Sequence, residues 1–389
     1  MKLQHSAPFD RTQAESFLNS LLARPAVFAL WPRANPVPAT QPYLGRTSNL
    51  RHRLERLLAS PRPGLRRLNL NQFTERVDYQ YVGSGFEAFW LIYLLNRAYY
   101  PRAYRQRLRL KPPPLLKVNL SNRFPRCYFT RRLARDGALY YGPFPSRAEA
   151  ERFAGEFLDL FKIRRCVEEL DPDPSHPGCI YSQMRMCLAP CFAGCTDDEY
   201  KSELVRAVGF LNSEGGSLVR ELEGERDRAS EALDFEQAAR AHHRLEKVGD
   251  VLRRRPPLAG NLADLHAVIL GRGAESNSVV FSRVRAGKIL GPATLVLDGN
   301  VASPVSLDRQ IQAVLDSLAD SGKPDASSPP PWEHLSILAR WYYSSFREGE
   351  FIPLGRTQEI PHARLIRICR KLTASPAEAN PRDTSHSAG

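Results

Sequence analysis

Residues 166–195 read CVEELDPDPSHPGCIYSQMRMCLAPCFAGC and hold five of the chain's seven cysteines. Twelve residues separate Cys166 from Cys179, seven separate Cys179 from Cys187, three separate Cys187 from Cys191, and Cys195 follows after three more. A disulfide framework is the first reading to weigh. It suits small secreted domains that cannot bury enough core, whereas a chain of 389 residues has ample core. The opening MKLQHSAPFDRTQAESF also lacks an apolar signal segment. Clustered thiols in an intracellular chain are more often ligands of a metal or cluster. The bland alternative is a loop of inert cysteines.

This stretch divides the chain into a basic part upstream and a helical part downstream. Overall, 55 Lys and Arg against 42 Asp and Glu leave a net charge of +13. Between Pro101 and Asp136 stand eleven basic residues and one acid, and between Arg46 and Arg67 seven Arg and one Glu. Bias so concentrated suits a polyanion, so a nucleic-acid partner is the favoured reading. Tyr99, Tyr100, Tyr104, Phe124, Tyr128 and Phe129 lie among these charges, where base stacking is open to them and core packing is the commoner use. No segment is apolar for long enough to span a bilayer. The length suggests two to four domains, and the expected location is cytoplasmic.

Toward the N-terminus, residues 14–24 read as a helix, PAVFALWP (25–32) as a strand, 35–42 as a Pro-rich turn and Tyr43–Leu44 as a brief strand. Asn49 is placed to cap a helix whose Leu50, Leu54, Leu57 and Leu58 share one face. VDYQYVGS (77–84) alternates like a strand, and GFEAFWLIYLLNRAYY (85–100) reads as a buried helix ended by Pro101.

This order resembles the GIY-YIG nuclease domain as it occurs in the UvrC family of excinucleases. Ala26-Val27-Phe28 stands at the first triplet and Tyr43-Leu44-Gly45 at the second; Gly45–Arg53 (GRTSNLRHR) matches the family's Gly-Lys-x-x-Asn-Leu-Arg-x-Arg run. The resemblance implies a metal ion held by a Glu on the long helix, tyrosines that help to activate water, and an Arg that stabilises charge on the phosphate. Tyr43, Arg46 and Arg53 stand at three such positions, with Arg46 in place of a lysine, while Phe28 replaces the first tyrosine and Ile92 the metal-binding Glu. Glu87, five residues before Ile92, points about 140° away on a helix. Losing a general base costs roughly 10²–10⁴-fold in rate, and losing the metal removes several kcal/mol more. The implied nuclease site is degenerate, and no catalytic Mg or Mn site is expected.

The resemblance runs on through LYYGPF (139–144) and a helix capped by Ser146 (SRAEAERFAGEFLDLFKI, 146–163) to the cysteines. There, Arg164-Arg165-Cys166, GCIYSQ (178–183) and RMCLAPC (185–191) are similar to UvrC in spacing and residue type. This implies that Cys166, Cys179, Cys187 and Cys191 ligate a [4Fe–4S] cluster. Zinc would satisfy the same four thiolates, and composition leaves the two open. Cys195 lies outside the set, and Cys127 and Cys369 read as ordinary free thiols.

Downstream, 197–212 and 217–233 read as helices around a Gly215-Gly216 break, and Asp234 opens a third with Gln237 as capping partner. Phe235, Ala238, Ala239, Leu245, Val248, Val251 and Leu252 are expected to line its inner side. LDFEQAAR (233–240) resembles the UVR motif, the hairpin by which UvrC and UvrB bind each other, which implies partner contacts through Leu233, Phe235, Glu236, Ala238 and Ala239. The adjacent His242 and His243 read as surface residues. Residues 262–299 read as a β-meander turning at 271–277 and 286–287, followed by helices at Leu307–Leu318 and Glu333–Phe346 around a low-complexity link, 323–331. Residues 373–389 read as a disordered tail whose Asp383-Thr384-Ser385-His386 echoes the start of the family's RNase H site.

The expected fold is α/β (α+β) and multidomain: a GIY-YIG-like antiparallel sheet flanked by helices (14–105), a basic connector with the cysteine cluster (106–200), a UVR-type helical hairpin (201–255), a UvrC-like β-meander with helices (262–355) and a tail (356–389). The resemblance implies a shortened UvrC-family protein of nucleotide excision repair that binds DNA and docks on UvrB. DNA contacts are expected from Arg51, Arg102, Arg105, Arg107, Lys117, Arg131 and Arg132. Two other readings stay open: an active single-strand endonuclease similar to the short homologue Cho, and a zinc-binding nucleic-acid adaptor outside repair.

Overall fold

The computed structural model describes residues 2–33, 41–60, 68–297, 306–320 and 332–374. The Pro-rich turn at 35–40, the link at 323–331 and the RNase H echo lie outside the described residues.

The N-terminal layer holds β1 (His5–Pro8), α1 (Ala14–Ser20), β2 (Ala26–Pro32), β3 (Tyr43–Thr47), α2 (Leu50–Leu58), β4 (Thr74–Tyr81), α3 (Gly85–Tyr99) and α4 (Tyr104–Arg107). Its antiparallel sheet has the order β1-β4-β2-β3. Strand alternation divides the side chains of β2 between two cores. Ala26, Phe28 and Leu30 pack with Leu18, Leu50 and Leu54 of α1 and α2. Val27 and Ala29 pack with Leu91, Ile92 and Leu95 of α3. The Asn49 carboxamide caps α2, accepting from His52 N at 3.0 Å.

The middle layer contains β5 (Leu115–Val118), β6 (Cys127–Thr130), β7 (Leu139–Gly142), α5 (Arg147–Leu158), α6 (Ile180–Gln183), α7 (Asp197–Asn212), α8 (Gly216–Glu231), α9 (Phe235–Arg253) and β8 (Gly260–Asn261). The sheet order is β6-β5-β7-β8, so the chain returns after the helices to complete it. Ser146 caps α5 by accepting from Glu149 N at 3.1 Å. One core joins Leu116, Phe153 and Phe157 to Tyr200, Phe210, Leu222 and Val248. The boundary expected at residue 200 is therefore not a boundary in packing: the root of the helical hairpin is built into the same core as the sheet.

The last layer is β9 (His266–Arg272), β10 (Ser278–Arg285), β11 (Lys288–Val296), α10 (Leu307–Asp320), α11 (Trp332–Tyr342), β12 (Glu350–Leu354) and α12 (His362–Thr373), with sheet order β11-β10-β9-β12. The β12–α12 unit falls largely in the expected tail region. Leu365, Ile368 and Cys369 of α12 pack under the sheet with Leu270, Phe281 and Ile352, so the fold extends past residue 355. Helix α3 joins the first and last layers. Ile92 faces the N-terminal sheet, whereas Phe86, Trp90 and Tyr93 pack with Ile269, Val284 and Ile337. A buried carboxylate secures that seam: Glu333 accepts from Tyr104 Oη at 2.6 Å and Arg105 Nε at 2.5 Å.

Candidate metal centre, nuclease remnant and docking hairpin

The first site to build is on β2 and β3, where Phe28 pairs with Gly45 and Leu30 with Tyr43. A Cβ at residue 45 would lie 2.5 Å from Phe28 Cζ, so only glycine lets the Phe28 ring cross β3 there. The Tyr43 ring stands 6.3 Å from Phe28, and its hydroxyl accepts from Arg53 Nη2 at 3.2 Å. These three residues are together. The other two family positions lie on the opposite side of the strands. The Arg46 guanidinium sits 5.3 Å over Phe89 of α3, and Ile92 is 5% exposed among Val27, Ala29 and Leu44. The sheet thus separates Ile92 from Tyr43 and Arg53. The only carboxylate on α3, Glu87, faces β9 and β10 across Ser84 and Ser282, and accepts from Gly83 N at 3.0 Å. Burial pushes its pKa up to about 7.

The cysteine loop is pinned at both ends. Arg164 N donates to Tyr200 Oη at 3.2 Å, Leu188 N donates to Lys162 O at 3.1 Å, and Asp173 N donates to Cys191 O at 2.9 Å. Arg185, Ala189 and Ala193 take left-handed conformations, which fold the chain back tightly between the last cysteines. Two sulfurs already accept: Cys187 Sγ from Ala189 N at 3.3 Å and Cys166 Sγ from Arg164 Nη1 at 3.7 Å. Arg164 is buried and its Nε has no partner; spacing alone did not single it out. Burial pushes the Cys187 thiol up to about 11, and the neighbouring Cys166, Cys179 and Cys191 add to that rise. Cys191 is raised by burial first and by Cys179 next. Among the described residues, no three His, Cys, Asp or Glu side chains stand in a ligating arrangement. The donor set nevertheless fits a thiolate-bound cation. The other three thiols lie near enough to Cys187 to oppose its ionisation, and a bound cation would reverse that penalty. Cys195 packs against the core instead, and Cys127 and Cys369 are buried.

The basic residues divide sharply. Arg51 donates to Leu21 O at 2.7 Å and Asn19 O at 2.9 Å, tying α2 to the end of α1. Arg105 is held by Glu333, and Lys117 pairs with Asp136. Arg107 donates to Asn96 Oδ1 at 3.0 Å and lies 3.8 Å over the Tyr100 ring. Four of the seven residues expected to contact DNA thus hold partners within the chain, and of these Arg105 and Arg107 are also exposed. Arg102, Arg131 and Arg132 remain exposed. Tyr104 and Phe124, two of the interleaved aromatics, are buried.

At the hairpin, the Asp234 carboxylate caps α9 by accepting from Gln237 N at 3.0 Å. The inward stripe runs through Ala241, Leu245, Val248 and Leu252. Phe235 and Ala239 are exposed, which corrects the expectation that they line the inner side. Helix α8 stops at Glu231, and the chain from there to the first turn of α9 is exposed. Leu233 is 72% exposed and Phe235 70%, while Glu236 pairs with Arg240. Ala238 is half-buried, and His242 and His243 are exposed beside Glu246.

Residues 114–210, which comprise β5–β7, α5, the cysteine loop and most of α7, match the family described as UvrC/Cho excinuclease, middle domain. This defines the class: a chain built around a UvrC-type middle domain. The UvrABC system protein C of Methanothermobacter thermautotrophicus is 29% identical over 259 residues, covering 66% of this chain and 43% of its own length. That of Corynebacterium diphtheriae is 30% identical over 282 residues (70% and 40%), and that of Idiomarina loihiensis 27% identical over 278 residues (72% and 44%). The protein belongs to the UvrC family. The chain spans less than half the length of these relatives. No solved structure matches it. Among the described residues, no helix is long and apolar enough to cross a membrane.

Proposed function

We propose that the protein is a DNA-binding scaffold of nucleotide excision repair that docks on UvrB through the α8–α9 tip and makes no efficient incision itself. One observation carries the reading. At the position where the family resemblance calls for a metal-binding Glu stands Ile92, packed among Val27, Ala29 and Leu44 and screened by the sheet from Tyr43 and Arg53. Hydrolysis of a phosphodiester depends on electrostatic stabilisation of charge, and Arg53 alone supplies only part of it. Phe28 likewise offers no hydroxyl to the attacking water. The exposed Leu233 and Phe235 support the docking role, because paired large apolar side chains at a rigid tip make an anchor for a partner groove.

In this reading Cys166, Cys179, Cys187 and Cys191 hold a [4Fe–4S] cluster, with zinc as the competing occupant. The bound group supplies tetrathiolate cross-linking of the loop. Around it, Arg164 and Ala189 N donate to the sulfurs, and Tyr200 ties the loop's start to α7. Anaerobic purification followed by iron, sulfide and zinc analysis decides the occupant: iron near four per chain supports the cluster, and zinc without iron overturns it. A nicking assay on lesion-bearing duplex with Mg²⁺ or Mn²⁺ tests the scaffold role. The expected result is no cutting above background, and efficient metal-dependent cutting abolished by Tyr43→Phe would overturn it.

A further inference from the structure

A cleft of about 560 Å³ opens between the 109–114 segment, the turn before α5 and the last turn of α11. Its cationic lining comes from three separated stretches: Arg109 and Lys111, then Arg131, then Arg340. No acidic residue lines it. The two carboxylates closest along the sequence to the Arg131 and Ser146 walls, Asp136 and Glu149, are engaged by Lys117 and Arg152. Four cations facing one space repel one another, and each is exposed rather than buried in a partner. Arg340 is held in place, donating to Arg109 O at 3.1 Å, and Arg109 takes a left-handed backbone with φ 49°. The side chains of Lys111 and Arg131 have no ion-pair partner among the described residues.

The floor differs in kind from the rim. It is made of Pro113, Pro114 and Phe144, all buried, and of Tyr343, whose hydroxyl is tied to Pro143 O at 3.0 Å. Ser146 at the wall caps α5, so the positive end of a 12-residue helix also opens here. An apolar floor under a cationic rim fits a nucleotide better than a bare anion: the sugar and base lie on the floor and the phosphate meets the rim. The volume lies within the range of roughly 300–1,000 Å³ usual for small-ligand sites.

We infer that this cleft holds one nucleotide of a nucleic-acid strand, with its phosphodiester on Lys111, Arg131 and Arg340. The inference rests on the DNA-binding reading above and adds Arg340 to the basic run that charge density marks. Arg340 is a lone Arg on an apolar helix, and no local pattern marks it.

The test is fluorescence anisotropy of a labelled 20-mer with the whole chain, as single strand and as duplex, across 50–200 mM salt. The wild type is compared with Lys111→Gln/Arg131→Gln, with Pro145→Glu, and with Lys201→Gln/Lys247→Gln as a charge-matched control away from the cleft. The expected result is roughly tenfold weaker binding of the single strand by the first double variant, with a salt slope shallower by about 0.7, since the two cations share one phosphate of a single strand. Pro145→Glu keeps every cation, adds an acid at the start of α5 where helices favour one, and weakens binding similarly. The control stays within about twofold. Wild-type binding with both cleft variants matching the control overturns the inference and leaves the DNA-binding reading standing. No wild-type binding at 50 mM salt overturns both.

Discussion

Helix α3 and the tip of the α8–α9 hairpin carry the same kinds of side chain and have opposite fates. On α3, Ile92 and its neighbours are closed in from both sides, by the N-terminal sheet on one face and by β9, β10 and α11 on the other. At the tip, Leu233 and Phe235 extend past the end of α8 and meet solvent. The comparison separates packing from recognition. Apolar residues on α3 finish a core, whereas apolar residues at the tip stay in solvent. The same side-chain chemistry is used for packing in one place and left at the surface in the other.

The comparison breaks first if α3 tolerates a carboxylate. Ile92→Glu places an acid among the apolar side chains of Val27, Ala29, Leu44 and Leu95. The expected outcome is loss of about 4 kcal/mol of stability at neutral pH, or failure to fold, read by urea denaturation. Because the sheet separates residue 92 from Tyr43 and Arg53, incision does not return. A stable variant that gains Mg²⁺-dependent nicking would show that the site is one substitution from activity.

Glu87 sharpens the same point from the other face of α3. Its pKa is raised by burial from an ordinary 4.5 to about 7, so between those values the folded state holds a proton that the unfolded state has released. Stability therefore falls as pH rises from about 4.5 to 7 and stays reduced above it, by about 3 kcal/mol in all. Glu87→Gln keeps an acceptor for Gly83 N and cannot ionise, so denaturation midpoints measured at pH 5 and pH 8 should converge in the variant and differ in the wild type. A wild-type midpoint independent of pH would show that Glu87 is not the acid the fold must keep neutral.

On the hairpin the tip and the root should behave as opposites. Phe235→Ala is expected to change stability by less than about 0.5 kcal/mol and to weaken UvrB binding by about 2 kcal/mol, some 30-fold, by titration calorimetry. Val248→Ala, 1% exposed in the middle core, should cost about 2 kcal/mol of stability and leave binding per folded molecule unchanged. Equal effects on both measurements would erase the distinction between tip and root.

Much of the element order was legible in sequence because alternation in β2 and β4 and the leucine spacing of α2 are local signals. Caps were legible too: Asn49, Ser146 and Asp234 all accept where their spacing requires. Long-range pairing was not. Arg105 looks like a free cation in a basic run, but its partner Glu333 lies 228 residues away. β12 was hidden by Pro353, which a strand tolerates because β12 is at the sheet's edge. Phe235 was misplaced because it stands about 110° around α9 from the stripe of Ala241, Leu245, Val248 and Leu252, so helical spacing puts it on another face. The cysteine spacing and the resemblance pointed to candidate ligands and took in Arg164 beside Cys166, whereas nothing local announced that Arg164 is buried.

The smallest effect tests the residue that most looks catalytic. Tyr43 keeps its hydroxyl and its bond to Arg53, and in an active nuclease that pair would act on water and phosphate. Tyr43 is half-exposed, its ring stands beside Phe28 where the resemblance calls for another tyrosine, and its hydroxyl helps to position Arg53 on α2. Tyr43→Phe should therefore cost at most about 1 kcal/mol of stability, the net value of one exposed hydrogen bond, and leave background nicking unchanged. DNA affinity should also stay within about twofold, because Arg53 remains charged. A drop in nicking of tenfold or more at unchanged stability would mean that the N-terminal sheet still performs chemistry, and the contrast between a closed α3 and an open hairpin would then concern packing alone.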